Sequence, residues 1–220
     1  MSKHLERDLE SLQREILAMG TAVEEAVYQS IRALQERDAA MAQEVIDADD
    51  QIDEQENLVD EQCLKILARH QPVAADLRRV AAVLLINTDL ERMADLAVDI
   101  AERAVTLASP PYVPVPEKLQ RMTDLAAGMV RQSLDAFVHT DTAGARKVVR
   151  LDDEVDQLND AIIRELVQTM QKDPALVEPA LSLFSATRHL ERIADHATNI
   201  AEDAVYLVEG TIIRHRPAAM

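Results

Sequence analysis

A thirteen-residue segment of this chain occurs twice, one hundred positions apart. Residues 90–102 read LERMADLAVDIAE, and residues 190–202 read LERIADHATNIAE. On a helix of about 100° per residue, the apolar members of each copy gather on one side, and the carboxylates fall in a separate arc of about 80°. Each copy therefore predicts a helix with an apolar stripe and an acidic stripe, in a chain built from two related halves.

A second duplication and the apolar spacing extend this plan to the whole chain. Residues 49–53 recur as 152–156 at an offset of 103, and apolar residues three and four apart predict three long helices in each half. Asp38 and Asp141 are expected to cap the second and fifth helices, and Asp76 to open the third. Gly210 is expected to end the sixth helix. Low glycine content and the absence of tryptophan also favour helix over strand.

The prolines place the boundary between the halves, because four of the eight lie within residues 109–116 and exclude a helix there. The sequence therefore predicts an all-α protein of two tandem, pseudo-symmetric three-helix bundles with six long antiparallel helices. The predicted units are a first bundle over residues 1–108, a Pro-rich linker over 109–116, a second bundle over 117–209 and a C-terminal tail over 210–220.

Charge and hydropathy limit the classes of partner. The formal charge of −17 disfavours nucleic acids and anionic lipids, and favours cations and basic protein surfaces. The longest apolar run, residues 80–86, is too short to span a bilayer, and the N-terminus has no apolar core of a signal peptide. We therefore expect a soluble, cytoplasmic protein without direct membrane insertion, and Cys63 as a buried thiol.

Pairs of carboxylates one helical turn apart are the candidate binding residues. Any one pair is typical of a solvated helix face, but the spacing recurs on the second and third helices of each half. Two pairs on neighbouring helices repel each other unless they are protonated or bind a cation. Oxygen ligands of this kind suit iron, manganese, magnesium or calcium, and zinc less specifically. We predict one metal site per half, formed by Asp49, Asp53, Glu91 and Asp95 and by Asp152, Asp156, Glu191 and Asp195.

Other recognisable chemistry is missing from the sequence. No histidine follows a glutamate at the Glu-x-x-His spacing of ferritin-like di-iron proteins, and there is no Gly-rich phosphate loop or Cys/His metal spacing. His70, His189 and His196 are interpreted as surface or packing residues. A binding or regulatory protein that is not an enzyme and has no organic cofactor is favoured. A metal-dependent hydrolase and a purely structural helical scaffold remain alternatives.

Several segments together resemble one known family. They are the Glu-Arg-x-x-Asp repeats with their continuation to residue 202, the Gln-Pro-x-x-x-Asp-Leu-Arg segment at 71–78, the Tyr-Leu-Val-Glu-Gly segment at 206–210, and the duplication around Asp49 and Asp152. This combination resembles the PhoU family, accessory proteins of phosphate-specific transport systems, over nearly the whole chain.

The resemblance implies a fold, a function and partners. PhoU proteins consist of two similar three-helix bundles whose Glu/Asp-x-x-x-Asp motifs hold multinuclear iron or zinc clusters, here at the eight carboxylates named above. They are negative regulators of phosphate uptake and of the phosphate-starvation response. They link the phosphate ABC transporter, through its ATPase subunit, to a membrane sensor histidine kinase, and they commonly form homodimers.

The chain departs from the family pattern in two respects. Alanine replaces the usual glycine of the Glu-Arg-Ile-Gly-Asp motif at Ala94 and at Ala194, which leaves every carboxylate in place. Asn199 stands where the first half has Asp99. If these positions contribute to metal binding, the two sites are expected to differ in charge and affinity.

Overall fold

The computed structural model describes residues 3–210, and these residues form six α-helices, one short 3₁₀ helix and no strand. The all-α prediction is confirmed. The predicted tail beyond Gly210 lies outside the described residues. The helices are α1 (Lys3–Glu36), α2 (Ala39–His70), α3 (Ala74–Leu107), α4 (Lys118–His139), α5 (Thr142–Lys172) and α6 (Val177–Glu209), and the 3₁₀ helix Pro174–Leu176 precedes α6.

The helix ends follow local chemistry in both halves. Asp38 and Asp141 each accept hydrogen bonds from two backbone N–H groups of the helix that follows, so both predicted N-caps are confirmed. Gly210 ends α6 with a left-handed φ of 67°. Helix α3 begins at Ala74, two residues before the predicted start, which puts Asp76 in the first turn. A carboxylate in that position is stabilised by the helix dipole.

The helices form two layers. In each half the three helices contact one another, and the halves meet through α3 against α6 and α1 against α4. One layer has the order α2, α3, α6, α5, and α1 and α4 lie behind it. The buried apolar residues of both halves belong to one continuous core. The acidic stripes of α3 and α6 consequently face outward from the same layer.

The apolar stripe of the repeated segment is buried as predicted. Relative exposure is 0% for Leu90, Met93, Ala97 and Ile100 and for Leu190, Ile193, Ala197 and Ile200. A small residue also allows close approach between α1 and α4, because a Cβ atom on Gly20 would overlap the Cδ1 atom of Leu134. Cys63 is buried and free, as predicted.

The segment between α3 and α4 is non-helical and tied to the first half. The guanidinium of Arg37, in the turn between α1 and α2, donates a hydrogen bond of 2.9 Å to the carbonyl oxygen of Val113. It also lies 4.4 Å from the ring centroid of Tyr112, within range of a cation–π contact. Val113 itself is buried. This segment is therefore anchored to the α1–α2 turn.

Candidate functional site

The structure brings the predicted carboxylates together in each half. Asp49 on α2 lies close enough to Asp95 on α3 for the two charges to interact, and Asp152 on α5 interacts in the same way with Asp195 on α6. Antiparallel packing of α2 on α3 and of α5 on α6 is the cause, because it aligns one turn of each helix with one turn of its neighbour. We call Asp49, Asp53, Glu91 and Asp95 the first acidic cluster, and Asp152, Asp156, Glu191 and Asp195 the second acidic cluster.

The two clusters share one pattern of exposure. In each, two carboxylates are exposed and two are half-buried at the helix–helix contact. The exposed members are Asp53, Asp95, Asp156 and Asp195, and the half-buried members are Asp49, Glu91, Asp152 and Glu191. The duplication in sequence is therefore also a duplication of the local environment.

Burial and mutual repulsion perturb the first acidic cluster strongly. The pKa of Glu91 is raised to about 7, mainly by partial burial and next by the charge of Asp95. The pKa of Asp49 is raised to about 6, mainly by burial and next by the charges of Asp53 and Asp95. The pKa of Asp95 is also raised, by desolvation and by Asp53, although hydrogen bonding with Glu91 partly offsets this. The fold therefore holds these carboxylates against their electrostatic preference.

The second acidic cluster is perturbed in the same direction but is partly neutralised. Burial and the charge of Asp195 raise the pKa of Asp152 to about 6. Desolvation by the surrounding side chains also raises the pKa of Glu191 and of Asp195, and Arg188 lowers both. Arg188 donates a hydrogen bond of 2.9 Å to Glu191. Thr88 occupies the position equivalent to Arg188 in the first half, so this hydrogen bond has no counterpart there, and Arg92 is the cation that lowers the pKa of Glu91.

Glu56, Asp60 and Asp99 also belong to the environment of the first acidic cluster, and of these only Asp99 was considered from the sequence as a contributor to it. Burial is the main cause of the raised pKa of Glu56, and the charges of Asp60 and Asp53 raise it further. The charge of Asp99 contributes to the raised pKa of Asp95. The signal was present in the sequence, because Glu56 and Asp60 follow Asp53 at three and seven residues, on the same helical face.

The corresponding positions of the second half carry no charge. Asn159, Ile163 and Asn199 stand where the first half has Glu56, Asp60 and Asp99. Each cluster has four carboxylates, but the first acidic cluster therefore lies in the more anionic environment. The single substitution noted in the sequence, Asn199 for Asp99, is part of a wider difference.

The donor set of both clusters fits a hard cation. Carboxylate oxygens are the ligands that such ions prefer, and a cation would relieve the repulsion that raises these pKa values. In the described part of the chain, however, no three His, Cys, Asp or Glu side chains are placed to hold one metal ion. Binding an ion therefore requires these side chains to change rotamer.

His196 has a role that the sequence did not reveal. Its Nδ1 atom lies 2.8 Å from Oδ1 of Asp89 on α3, and the two side chains are only 12% and 8% exposed. Asn199 approaches the same carboxylate oxygen at 3.5 Å. His196 is thus neither a free surface residue nor simple packing, but one partner of a polar contact that joins the two halves.

A Ser–His–Asp arrangement lies on the same contact between α3 and α6. The Oγ atom of Ser185 is 3.0 Å from Nε2 of His189, and Nδ1 of His189 is 3.7 Å from Oδ2 of Asp99. The second distance is too long for a hydrogen bond. Ser185 also lies inside α6, where backbone N–H groups are bonded along the helix and none is free to stabilise an oxyanion. The arrangement therefore lacks two parts of a serine nucleophile site.

Comparison with known proteins identifies the family. The family model of the PhoU domain matches residues 16–104 and again residues 119–204, once in each half. A phosphate-specific transport system accessory protein PhoU homolog of Pseudomonas putida is 40% identical over 98% of this chain and 84% of its own length. The chain belongs to the PhoU family.

Other PhoU proteins support this over almost the full length. The PhoU homolog of Aquifex aeolicus is 39% identical over 96% of this chain and 95% of its own. The crystal structure of PhoU from Pseudomonas aeruginosa matches with a TM-score of 0.88 and 39% identity, covering 94% of this chain and 99% of that one. The phosphate transport system regulatory protein PhoU from Streptococcus pneumoniae also gives a TM-score of 0.88, at 28% identity.

The relatives are named as accessory or regulatory proteins of transport systems and not as enzymes. A transport accessory protein need not be a membrane protein itself. Among the described helices of this chain, none has the length and hydropathy needed to cross a membrane.

Proposed function

We propose that this chain is a negative regulator of phosphate uptake and of the phosphate-starvation response, acting by protein–protein contact. The observation that carries the proposal is its agreement with PhoU accessory proteins in both halves and over nearly the whole length. The proposed partners are the ATPase subunit of the phosphate ABC transporter and a membrane sensor histidine kinase. The proposed location is the cytoplasm, and the proposed assembly is a homodimer of chains with domains at 1–108 and 117–209.

We also propose that the two acidic clusters bind iron, zinc or another divalent cation. The carboxylates of each cluster would supply the ligands, and the ion would neutralise charges that the fold holds close together. A bound cation would remove the electrostatic cost of the cluster and fix the relative position of α2 and α3, or of α5 and α6. This is a structural role for the ion, and no described residue favours the hydrolase alternative.

The regulatory proposal is tested by complementation. A bacterial strain that lacks its own PhoU protein would express this chain, and a phosphate-starvation promoter fused to a reporter enzyme would be measured in phosphate-rich medium. We expect repression of the reporter and co-purification of the transporter ATPase subunit with the tagged chain. Full reporter activity with the chain present and folded would contradict the proposal.

The metal proposal has a separate test on purified protein. Elemental analysis and thermal unfolding would be measured with and without added Fe³⁺, Zn²⁺ or Mn²⁺ after treatment with a chelator. An ion at a hundredfold excess over its Kd is expected to stabilise the folded chain by about 2.7 kcal/mol. Equal metal uptake by the wild type and by a variant with all eight carboxylates replaced by amides would show that the ligands are elsewhere.

A further inference from the structure

A group of apolar side chains is exposed on the outer surface of the second half. Val167 is 42% exposed, Val177 38% and Leu181 52%, and Ile163 and Phe184 beside them are partly buried. Single exposed apolar residues are common on protein surfaces, whereas a group of them marks an interaction site more often. We call these five residues the α5/α6 apolar row.

The row and the second acidic cluster lie on one face. On α5, Val167 and Ile163 continue the line of Asp152 and Asp156 at spacings of three and four residues, through Asn159. On α6 the line runs at the same spacings from the apolar end to the acidic end. Its members are Val177, Leu181, Phe184, Arg188, Glu191 and Asp195. The α5/α6 groove therefore has an apolar end and an acidic end.

The antiparallel register places the two sides of the apolar end opposite each other. Asp156 interacts with Glu191 across the groove. Eleven residues further along α5 lies Val167, and eleven residues back along α6 from Glu191 lies Ala180. Val167 therefore faces the stretch of α6 between Val177 and Leu181.

The first half repeats part of this surface. Leu64 and Leu77, which are 61% and 44% exposed, occupy the positions of Val167 and Val177. Ala81 and Asp60 occupy the positions of Leu181 and Ile163, so the first-half groove is more acidic and less apolar. The repetition supports a common origin for the surface. Leu181 in place of Ala81, and Ile163 in place of Asp60, assign docking to the second half.

We propose that the α5/α6 groove, the surface along the α5–α6 contact, binds an amphipathic helix of a partner protein when the second acidic cluster holds no cation. Apolar side chains of that helix would lie on the row, and its Lys or Arg side chains on the second acidic cluster. This rests on the proposed regulatory function and specifies the partner surface by its chemistry. Charge complementarity selects the occupant, because the four carboxylates at the acidic end repel the same face of a second copy and an anionic lipid surface. Leu181 and Glu191 are ten residues apart, so the anchors and basic groups of the partner are separated by about 15 Å.

The test uses the full chain, treated with a chelator, and a synthetic helical peptide with leucines at one end and lysines about ten residues further on. Binding would be measured by fluorescence anisotropy. We expect the wild type to bind, and Leu181→Asp to weaken binding about tenfold or more, because it places a charge in an apolar contact. Leu58→Asp is the matched control: Leu58 is 57% exposed on α2, outside the groove, and its replacement should leave binding unchanged. Val177→Ser, a milder change, covers the case in which Leu181→Asp does not fold.

Several results would overturn the proposal. One is peptide binding that neither groove variant weakens, and another is no binding to the wild type. Leu181-dependent binding to anionic phospholipid vesicles would assign the row to a membrane, and Leu181-dependent self-association in sedimentation would assign it to a second copy. In the reporter strain, normal repression by both wild type and folded Leu181→Asp would refute docking alone, whereas failure of the wild type would refute the proposed function.

Discussion

Replacing Glu91 by glutamine should stabilise the metal-free protein at alkaline pH. The pKa of Glu91 is raised from its ordinary value of 4.5 to about 7, and a difference of about 2.5 in pKa corresponds to about 3.4 kcal/mol. Because the carboxyl is partly accessible and solvent screens its interactions, we expect about 1–2 kcal/mol. Glutamine keeps the shape of the side chain and removes the charge, so Glu91→Gln recovers this energy.

The pH dependence provides the sharper measurement. A carboxyl with a pKa that is higher in the folded state than in the unfolded state destabilises the fold when ionised. That cost is full above pH 7, falls as the pH drops from 7 towards 4.5, and is absent below 4.5. The chelator-treated wild type should therefore gain stability over this window, and Glu91→Gln should gain less.

Thermal unfolding in chelator at several pH values is the assay. At pH 8 the melting temperature of Glu91→Gln should exceed that of the wild type by about 2–8 °C, and the two should converge below about pH 5. Glu54→Gln, at an exposed position on α2, is the matched control and should show little change. A variant that is less stable than the wild type at pH 8, or a difference that does not change with pH, would refute the electrostatic reasoning.

Four further predictions concern stability and binding. Asp38→Ala and Asp141→Ala should each lower the free energy of unfolding by about 1 kcal/mol in chemical denaturation, because each removes an equivalent N-cap; a large difference between them would show that the caps are not equivalent. Leu190→Ala should cost about 2–5 kcal/mol, since the side chain is fully buried, and a loss under about 1 kcal/mol would contradict that burial. Asp89→Ala should lower the free energy of unfolding by about 2–3 kcal/mol, because it leaves His196 without its buried partner. If the Asp89→Leu/His196→Leu double variant loses as much stability, the broken pair is not the cause. In titration calorimetry the first acidic cluster should bind a divalent cation more tightly than the second, as its environment is more anionic, and equal affinity of single-cluster variants would contradict this.

Glu56 and Asp60 beside the first acidic cluster were missed, but the helical fold and the four carboxylates of each cluster were predictable from the sequence alone. The reason is that the helical period converts spacing directly into position on a helix face, so that a repeat such as 90–102 and 190–202 specifies both the buried stripe and the acidic stripe. The caps at Asp38 and Asp141 were predictable for a similar reason, since an N-cap depends only on the residues beside it.

Which helices of the two halves meet, and what lies between them, depends on the packing of the whole chain. The contact of α3 with α6 brings Asp89 next to His196, and Asp99 near His189, across ninety residues of sequence or more. No local pattern encodes such a pair, because its members belong to different helices and the crossing of those helices is fixed by the packing of the whole core. The same holds for the raised pKa of Glu91: the carboxylates were visible in the sequence, but their desolvation depends on how closely α2 and α3 pack.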